Sequence, residues 1–387
     1  MRYDFDKLTR RSGTDCWKWD IDREEEGVVP LWVADMDFEV APRITAALRE
    51  RVEHGIFGYT KVPMSFYDSI RGWYSRRYGW EIENEWIEYT TGVVPAVSAI
   101  IKALSGGEGC GVLVQTPAYN HFFSSIRNNG CRVVENRLVR SGDSYDIDFE
   151  DFERKAADGG TRIFLLCSPH NPVGRIWSAE ELRRMAGICH RHGVKIIADE
   201  IHSGLIMPGE VFTPFGMVGE EYQDEAVVTA SCTKSFNVAG LGISYIIARN
   251  GEVRRLIDRA INVNEVCDVN PFGVIALQTA YNECEDWLGE LCEYVKGNYE
   301  TMKGMIEGGV AGWKVMRLQA TYLAWVDCRS SGVSSEELGR RLLSEGRVRV
   351  SSGEIYGEPG GYIRINLACP RARLVEAVGR IVKIFGK

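Results

Sequence analysis

The sequence has little of what several large classes of protein require. Its 46 Lys and Arg residues are outnumbered by 54 Asp and Glu residues, which gives a formal net charge of −8 at pH 7. No Lys/Arg cluster stands apart from acidic residues. Nucleic-acid-binding proteins present a basic face, so nucleic acid is not an expected partner.

Long hydrophobic runs are missing as well. No apolar stretch approaches the roughly 20 residues that span a bilayer, and the N-terminal residues Met1–Lys7 carry no apolar signal core. We therefore expect a soluble, cytoplasmic protein that makes no membrane contact.

Motifs for disulfides, metals and nucleotides are also absent. The eleven cysteines are scattered singly without a Cys-x-x-Cys pair, which indicates neither a disulfide framework nor a zinc site. His190 and His192 lie two apart on a predicted helix and do not share a face, so no metal is expected. The chain lacks the Gly-x-Gly-x-x-Gly and Gly-Lys-Ser/Thr patterns of nucleotide sites, which disfavours a nicotinamide enzyme.

The sequence does contain an alternation of short apolar runs and helical patterns. The clearest helix is predicted over Ser178–His192, because Ser178 and Glu181 form a capping box. Strand and helix in alternation predict an α/β fold with a largely parallel sheet, and ligands bind such sheets at the carboxyl ends of the strands. The predicted strands are Val112–Gln115, Arg132–Asn136, Arg162–Cys167, Lys195–Ala198, Ala226–Ala230 and Ser244–Ala248.

The pattern changes after about Gly251. Long helices run through Gly308, and a smaller α+β unit follows. Its predicted elements are strands at Tyr322–Val326 and Tyr362–Leu367, a helix capped by Ser334 and a closing helix at Arg371–Phe385. We predict a large domain over residues 48–285 and a small domain made of residues 1–47 and 286–387.

Two charged side chains follow neighbouring predicted strands. Lys234 lies in the segment Ser231–Asn237, and Asp199 ends the apolar run from Val194. Alone, such a lysine is most often a solvated surface residue, because its charge is expensive to bury. Together they are what pyridoxal phosphate needs. The amine forms a Schiff base with the aldehyde, and the carboxylate keeps the ring nitrogen protonated.

The segment Thr90–Pro95 is a candidate phosphate site. It runs into an apolar helical pattern over Ala96–Leu104, and Pro95 suits the first turn of a helix. Gly92 would allow close backbone approach, and the free N–H groups at the helix start could hold a phosphate. A glycine before a helix is, however, more often plain turn chemistry. Tyr59, in the glycine-broken loop Gly55–Thr60, is on its own more often a surface packing residue.

Six short motifs, which follow one another along nearly the whole chain, carry a family resemblance. The chain resembles the fold-type I pyridoxal-phosphate enzymes and, within them, the aminotransferase-like branch of MalY/PatB-type C–S lyases, the cystathionine β-lyases and cysteine-S-conjugate β-lyases. The motifs are Trp32–Phe38 (WVADMDF), Gln115–Tyr119 (QTPAY), Cys167–Gly174 (CSPHNPVG), Ala198–His202 (ADEIH), Thr233–Asn237 (TKSFN) and Arg364–Pro370 (RINLACP).

The resemblance implies an aspartate-aminotransferase-like fold with a seven-stranded sheet, pyridoxal 5'-phosphate as cofactor, an amino acid substrate and a homodimer. It implies that Lys234 binds the cofactor and removes the Cα proton, and that Asp199 pairs with the ring nitrogen. The other implied cofactor contacts are Asn171, Tyr119 and His202 at the ring, and Gly92, Val93, Val94, Ser231, Thr233 and the neighbouring subunit's Tyr59 at the phosphate. The implied contacts of the substrate carboxylate are Arg364, Asn171 and Ala34, with Trp32 and Tyr322 suggested for the side-chain end of the pocket.

Two positions depart from the broader aminotransferase pattern. His202 stands where many aminotransferases have a tyrosine, and the lyase branch shares this histidine. Gly242 stands where many have an arginine that binds phosphate. Phosphate binding should therefore depend more on Tyr59, the hydroxyl groups and the helix start.

The predicted reaction is α,β-elimination of L-cystathionine or another L-cysteine thioether to a thiol, pyruvate and ammonia. An aminotransferase is the alternative, since it shares proton removal from Cα and differs in where the proton is returned. A protein that keeps the cofactor for binding or regulation is a third hypothesis. The branch-specific motifs favour the lyase.

Overall fold

The computed structural model describes residues 1–21, 27–263 and 268–386. Its α-helices are α1 (Trp17–Asp20), α2 (Pro42–His54), α3 (Met64–Tyr78), α4 (Val93–Leu104), α5 (Asn120–Asn128), α6 (Phe149–Ala156), α7 (Ala179–His192), α8 (Gly251–Asn262), α9 (Pro271–Glu283), α10 (Glu285–Gly309), α11 (Ser335–Gly346) and α12 (Arg371–Phe385). Its strands are β1 (Val29–Pro30), β2 (Ile87–Thr90), β3 (Gly111–Thr116), β4 (Arg132–Arg137), β5 (Val139–Ser141), β6 (Ser144–Asp146), β7 (Thr161–Cys167), β8 (Lys195–Asp199), β9 (Ala226–Ala230), β10 (Ser244–Ile247), β11 (Lys314–Val315), β12 (Leu323–Asp327), β13 (Val348–Arg349), β14 (Ser351–Ser352) and β15 (Tyr362–Asn366).

A seven-stranded sheet with the order β2-β10-β9-β8-β7-β3-β4 is the centre of the fold. The pairs from β9 to β4 are parallel, and β10 is antiparallel to both β9 and β2. The six strands predicted from the sequence are present, each to within one residue at either end. The seventh, β2, was not predicted from its own residues, because a four-residue strand with a half-buried centre gives little periodic signal.

The central strands are apolar on both faces because helices cover both faces. Along β3, Val112 and Val114 contact a core cluster that includes residues of α4, α5 and α8, whereas Leu113 contacts the larger cluster on the other side. The same alternation occurs along β7, where Ile163 and Phe164 belong to different clusters. The sheet is thus held in a helix–sheet–helix sandwich.

The predicted helix over Ser178–His192 is present as α7. Ser178 caps it, and its Oγ accepts from the N–H of Glu181 while the Glu181 carboxylate accepts from the N–H of Ser178. Gly193 ends it at φ +66°, a left-handed conformation that glycine adopts without strain. Helix α3 and the β5–β6 hairpin were not predicted from the sequence.

A second sheet, β11-β12-β15-β14, forms the smaller α+β unit with α10, α11 and α12. The N-terminal residues join it through the parallel pairing of β1 with β13 and through Phe5, whose ring contacts Trp287 and Tyr294. The predicted domain boundary at residue 48 lies within α2, which packs against α9. The boundary at residue 286 coincides with the start of α10. The division into two domains stays a prediction.

None of the helices in the described ranges combines the length and the apolar character that a membrane-spanning helix needs.

Candidate active site

A pocket lies at the carboxyl ends of the central strands. Asp199 ends β8, Asn171 follows β7, Lys234 follows β9 and Gly92 follows β2, so parallel strands bring distant residues to one edge. Its lining residues are Ala34, Gly92, Val93, Val94, Pro95, Tyr119, Cys167, Asn171, Asp199, Ile201, His202, Thr233, Lys234 and Ala239. Ten of these are residues that the sequence predicted for the site.

The Lys234 amine is held by the backbone. Its Nζ donates to the carbonyl oxygen of Ala34 at 2.7 Å, and the Tyr322 hydroxyl donates to the same oxygen at 2.9 Å. Burial lowers the pKa of Lys234 from 10.5 to about 8, and Arg364 adds to this effect while Asp35 opposes it. A larger fraction of the amine is therefore uncharged near neutral pH than for an ordinary lysine.

Asp199 is a buried carboxylate at the pocket. It is 4% exposed, and its Oδ1 accepts from the N–H of Ile201 at 3.1 Å. Burial raises its pKa from 3.8 to about 7, although the Ile201 N–H and the Lys234 charge favour ionisation. A cationic group inside the pocket would return this carboxyl to its ionised form.

His202 is buried beside the same pocket. Burial lowers its pKa to about 3, and the positive charges of Lys234 and Arg364 act in the same direction. Its Nδ1 is buried and has no hydrogen-bond partner within the described part of the chain. A neutral imidazole with an unused nitrogen is available to a polar group of a ligand.

Arg364 stands behind Asn171 rather than in the pocket wall. Its Nη1 donates to Asn171 Oδ1 at 3.0 Å, and its Nη2 donates to the carbonyl of Trp32 at 2.9 Å. The guanidinium also lies over the ring of Tyr356, 4.8 Å from the centroid. Because Asn171 Oδ1 accepts from Arg364, the amide NH₂ of Asn171 remains to donate elsewhere.

Arg364 is buried at 4% exposure among neutral partners. Across the described ranges, no carboxylate forms a salt bridge with it, and its Nε has no hydrogen-bond partner. A buried cation without a counter-charge is costly. An incoming carboxylate would supply the missing charge and match the planar guanidinium.

The start of α4 forms another part of the wall. Gly92 is its N-cap and provides no side-chain cap, so the N–H groups of Val93 and Val94 are not satisfied by a capping side chain. Pro95, at the third helical position, has no N–H to satisfy. An anion at this helix start would receive backbone hydrogen bonds and the favourable end of the helix dipole.

Thr233 lines the pocket, but Ser231 does not. The Ser231 hydroxyl donates to the carbonyl of Ile243 at 2.6 Å and accepts from the N–H of Thr233 at 3.0 Å. The Ser231 hydroxyl therefore already donates its proton to a hydrogen bond within the protein. Ser231 supports the turn before Lys234, and its role as a phosphate donor stays a prediction.

Tyr119 and Tyr59 have opposite environments. Tyr119 lines the pocket, and its ring packs edge-on against Phe122 at 5.8 Å. Tyr59 is fully exposed and does not line the pocket of its own chain. Neither residue suggested for the side-chain end lines the pocket. The Tyr322 hydroxyl donates to the carbonyl of the lining residue Ala34, whereas the Trp32 carbonyl accepts from Arg364.

The backbone explains the glycine at position 242. Gly242 has φ +56°, and a Cβ placed there would lie 3.4 Å from the carbonyl oxygen of Thr91. Any residue with a side chain would be strained in this conformation. An arginine at this position would need a different local backbone.

Two asparagines near the site were in the recognised motifs but had no predicted role. Asn237, at φ +57°, accepts from the N–H of Met36 at 3.0 Å and donates to the carbonyl of Phe38 at 2.8 Å. Asn366 donates to the carbonyls of Val33 and Asp35, both at 2.6 Å. Together they fix the segment Trp32–Phe38, whose Ala34 carbonyl holds Lys234. Their partners lie more than 190 residues away in sequence, so no local spacing could indicate them.

A cluster of buried charged side chains also holds the segment Trp32–Phe38 in place. The Asp37 side chain is fully buried and accepts from Lys18, Arg11 and Trp19 at 3.1, 2.8 and 3.0 Å. Its other oxygen accepts from Arg373 at 3.1 Å. Burial alone would raise the pKa of Asp37, but these donors hold it below its usual value. This cluster, the Asp37 cluster, was not predicted from the sequence.

Comparisons with known proteins agree with this fold. The family model Aminotransferase class I and II matches residues 26–381, and the chain belongs to this family. The family and fold predictions are therefore confirmed.

Individual relatives cover almost the full length. Cystathionine beta-lyase PatB of Bacillus subtilis is 39% identical over 381 residues, which are 97% of this chain and 98% of that protein. The structure of cystalysin from Treponema denticola, which contains pyridoxal 5'-phosphate, has a TM-score of 0.96 at 31% identity, with 99% of this chain and 98% of that chain covered. The PLP-bound C-S lyase from Staphylococcus hominis has a TM-score of 0.92 at 29% identity, with 99% of each chain covered.

Proposed function

We propose that this chain is a pyridoxal-phosphate-dependent carbon–sulfur β-lyase. Its substrate is L-cystathionine or another L-cysteine thioether, and its products are a thiol, pyruvate and ammonia. The observation that carries the proposal is one pocket lined by both the Lys234 amine and the buried Asp199 carboxylate. The names of the relatives, cystathionine beta-lyase and C-S lyase, support the same reaction.

The pocket residues fit pyridoxal phosphate. Asp199 is a buried carboxylate whose pKa, raised to about 7, calls for a cationic partner. The Nδ1 of His202 has no hydrogen-bond partner among the described residues, and the uncapped start of α4 suits a phosphate. The residues that would hold the group are Lys234, Asp199, Asn171, Tyr119, His202, Thr233, Gly92, Val93 and Val94.

The cofactor, when bound, supplies an electron sink for the pair of electrons left on the substrate Cα. Lys234 Nζ is the group that moves protons. With a pKa lowered to about 8 it can accept the Cα proton near neutral pH and return a proton later. The free amine donates to the Ala34 carbonyl, which fixes its position at the pocket.

Arg364 would bind the substrate α-carboxylate. Its guanidinium is fixed by Asn171, by the Trp32 carbonyl and by the face of Tyr356, so little side-chain entropy is lost on binding. Asn171 joins the substrate and cofactor parts of the site, since it bonds Arg364 with one end of its amide. Val93, Val94 and Ile201 form an apolar part of the pocket wall.

The finer assignments belong to the same proposal. We infer a cysteine-S-conjugate β-lyase type of activity, a cytoplasmic location and a homodimer in which Tyr59 reaches the neighbouring site. The complete exposure of the Tyr59 ring in a single chain supports the last of these.

Incubation of the purified protein with L-cystathionine tests the reaction. Pyruvate and free thiol should form in equal amounts and at equal rates, because one elimination releases both. The Lys234→Ala variant should produce neither, since no other group in the proposal removes the Cα proton.

An aminotransferase would give a different product pattern. It would form a keto acid that still carries its thioether, together with the amine form of the cofactor, and no free thiol. That result would overturn the lyase proposal. Full turnover by Lys234→Ala would overturn the assignment of the proton-moving group.

A further inference from the structure

Two cysteines meet at the edge of the central sheet opposite the pocket. Cys110 directly precedes β3, and Cys131 directly precedes β4. These strands are parallel neighbours with Gly111 opposite Arg132, which places Cys110 beside Cys131. The Arg132 N–H donates to the Cys110 carbonyl at 2.8 Å, and the Gly109 N–H donates to the Gly130 carbonyl at 2.8 Å.

The spacing suits a bond between the two sulfurs. Neighbouring strands lie about 4.8 Å apart, within the Cα separation of about 4.4–6.8 Å that disulfides span. The Cys110 thiol donates to the carbonyl of Gly111 at 3.7 Å, and the Cys131 thiol donates to the carbonyl of Asn129 at 3.5 Å. Both cysteines belong to the same core cluster. Both are free thiols in the structure.

The surroundings allow a small oxidant to reach this pair. Cys110 is 8% exposed and Cys131 is 6% exposed, and their neighbours Glu108, Gly109 and Arg132 are exposed. By contrast, Cys189 is completely buried. Burial, and then the neighbouring thiol, raise the pKa of Cys110 to about 12, while the guanidinium of Arg132 opposes this.

We propose that Cys110 and Cys131 form a reversible redox site, which a small-molecule disulfide oxidises to an intrachain disulfide bond. The Cys131 thiolate attacks one sulfur of the oxidant, forms a mixed disulfide and releases the first small thiol. Cys110 gives up its proton and attacks the Cys131 sulfur, and the second small thiol leaves. Two protein thiols are oxidised, one small disulfide is reduced to two thiols, and no other reagent is consumed.

The disulfide bond would constrain the segment that contains Tyr119. It would close the loop from Cys110 to Cys131, which contains β3, Tyr119 and α5. Such a cross-link reduces the freedom of the unfolded chain. The oxidised protein should therefore resist unfolding of this segment more than the reduced protein does. The inference is independent of the proposed reaction, because it concerns thiols outside the pocket.

The test is a redox titration of the holoenzyme in mixtures of glutathione and glutathione disulfide. Samples are quenched with acid, alkylated, digested and analysed by mass spectrometry. We expect a linked peptide pair that contains Cys110 and Cys131, the loss of two alkylatable thiols, and full reversal by excess reduced glutathione. Cys16 is a half-buried cysteine in another part of the fold and serves as the lone-thiol reference.

Two variants sharpen the result. Cys131→Ser should abolish the linked pair and leave Cys110 alkylated or joined to glutathione, whereas Cys16→Ser should leave the linked pair unchanged. The proposal is overturned if wild-type Cys110 and Cys131 remain separately alkylated at oxidant levels that modify Cys16. It is overturned equally if each carries its own glutathione. These readouts do not use activity, so a failed lyase assay would not affect them.

Discussion

At the scale of single residues, the pocket holds ionisable groups in environments that oppose their charged forms. Burial raises the pKa of Asp199 to about 7 and lowers the pKa values of Lys234 and His202 to about 8 and about 3. All three line one pocket. Strongly shifted groups that meet in a cleft are typical of active sites, and these shifts suit a cofactor that brings its own charges.

Asp199→Asn should stabilise the cofactor-free protein but weaken its binding of the cofactor. The folded-state pKa of Asp199 is about 7 against 3.8 ordinarily, so the folded state favours the protonated acid. The protonated acid stabilises the folded state relative to the ionised carboxylate, and this stabilisation is lost as the pH rises from 3.8 towards 7. A neutral asparagine cannot ionise, so it avoids the cost of a buried negative charge. The unfolding free energy of the apoprotein at pH 8 should rise, by up to about 4 kcal/mol for a gap of roughly three units.

The cofactor affinity of the same variant should fall, because the charged partner of the ring nitrogen is lost. We expect a dissociation constant roughly 10- to 100-fold higher, as for the loss of a charge-assisted hydrogen bond. Denaturant unfolding of the apoprotein at pH 4 and pH 8, with cofactor titration at pH 8, measures both effects. Asp146→Asn, at an exposed position, is the control and should change neither quantity. An Asp199→Asn apoprotein less stable than wild type at pH 8 would contradict the prediction.

At the scale of elements, the segment Trp32–Phe38 connects the two sheets and the pocket. Asn237 holds it from the side of Lys234, Asn366 holds it from β15, and Asp37 anchors it in a cluster of cations. Removing one partner from a buried charge cluster is strongly destabilising, because the remaining charges lose their compensation. The segment should therefore be a sensitive part of the fold.

Asp37→Asn should destabilise the protein by about 3–5 kcal/mol, because Lys18, Arg11 and Arg373 would lose their shared carboxylate. Glu39→Gln is a matched control. Glu39 pairs with Lys7 at 2.7 Å, but both side chains are more than half exposed, and such pairs contribute about 0–1 kcal/mol. Denaturant unfolding of the two variants measures the difference.

A double variant tests whether the charge imbalance is the cause. Lys18→Met in the Asp37→Asn background removes one of the uncompensated cations, so part of the lost stability should return. If Asp37→Asn is as mild as Glu39→Gln, the cluster does not anchor the segment. If the double variant is less stable than the sum of the two single changes predicts, the imbalance is not the cause.

These elements also show what the sequence could and could not predict. The strands β3, β7, β8 and β9 are largely apolar, and polar residues lie at or just after their carboxyl ends. Their positions and the pocket edge could therefore be predicted from the sequence. The Asp37 cluster could not, because Lys18, Asp37 and Arg373 are far apart in sequence and each alone resembles a surface charge. The bond from the Ser231 hydroxyl to the Ile243 carbonyl could not be predicted either, because the residue type alone does not show which acceptor a hydroxyl meets.

At the scale of the whole molecule, one surface region is unusually apolar. The end of α2 and the loop after it expose the side chains of Val52, Ile56, Phe57, Tyr59 and Met64. Phe57 packs on Phe272 at 5.7 Å between ring centroids. Contiguous exposed apolar residues mark interaction surfaces more often than free surface. A second copy of this chain is the partner that the proposed homodimer requires.

Subunit mixing can decide whether Tyr59 acts across such an interface. Tyr59→Phe should weaken cofactor binding by roughly 10- to 100-fold, as expected when a hydrogen bond to a charged group is lost. Lys234→Ala should be inactive but should keep Tyr59. In a mixed dimer, one site would combine the intact Lys234 of one subunit with the intact Tyr59 of the other.

Activity at limiting cofactor should therefore exceed the sum of the two separate variants once their subunits have exchanged. Native mass spectrometry of differently tagged chains measures the exchange, and unexchanged mixtures are the control. If Tyr59 serves its own chain, every site in the mixed dimer lacks either Lys234 or Tyr59, and exchange brings no gain. That outcome would contradict the shared site, because complementation depends only on which subunit supplies the phenol.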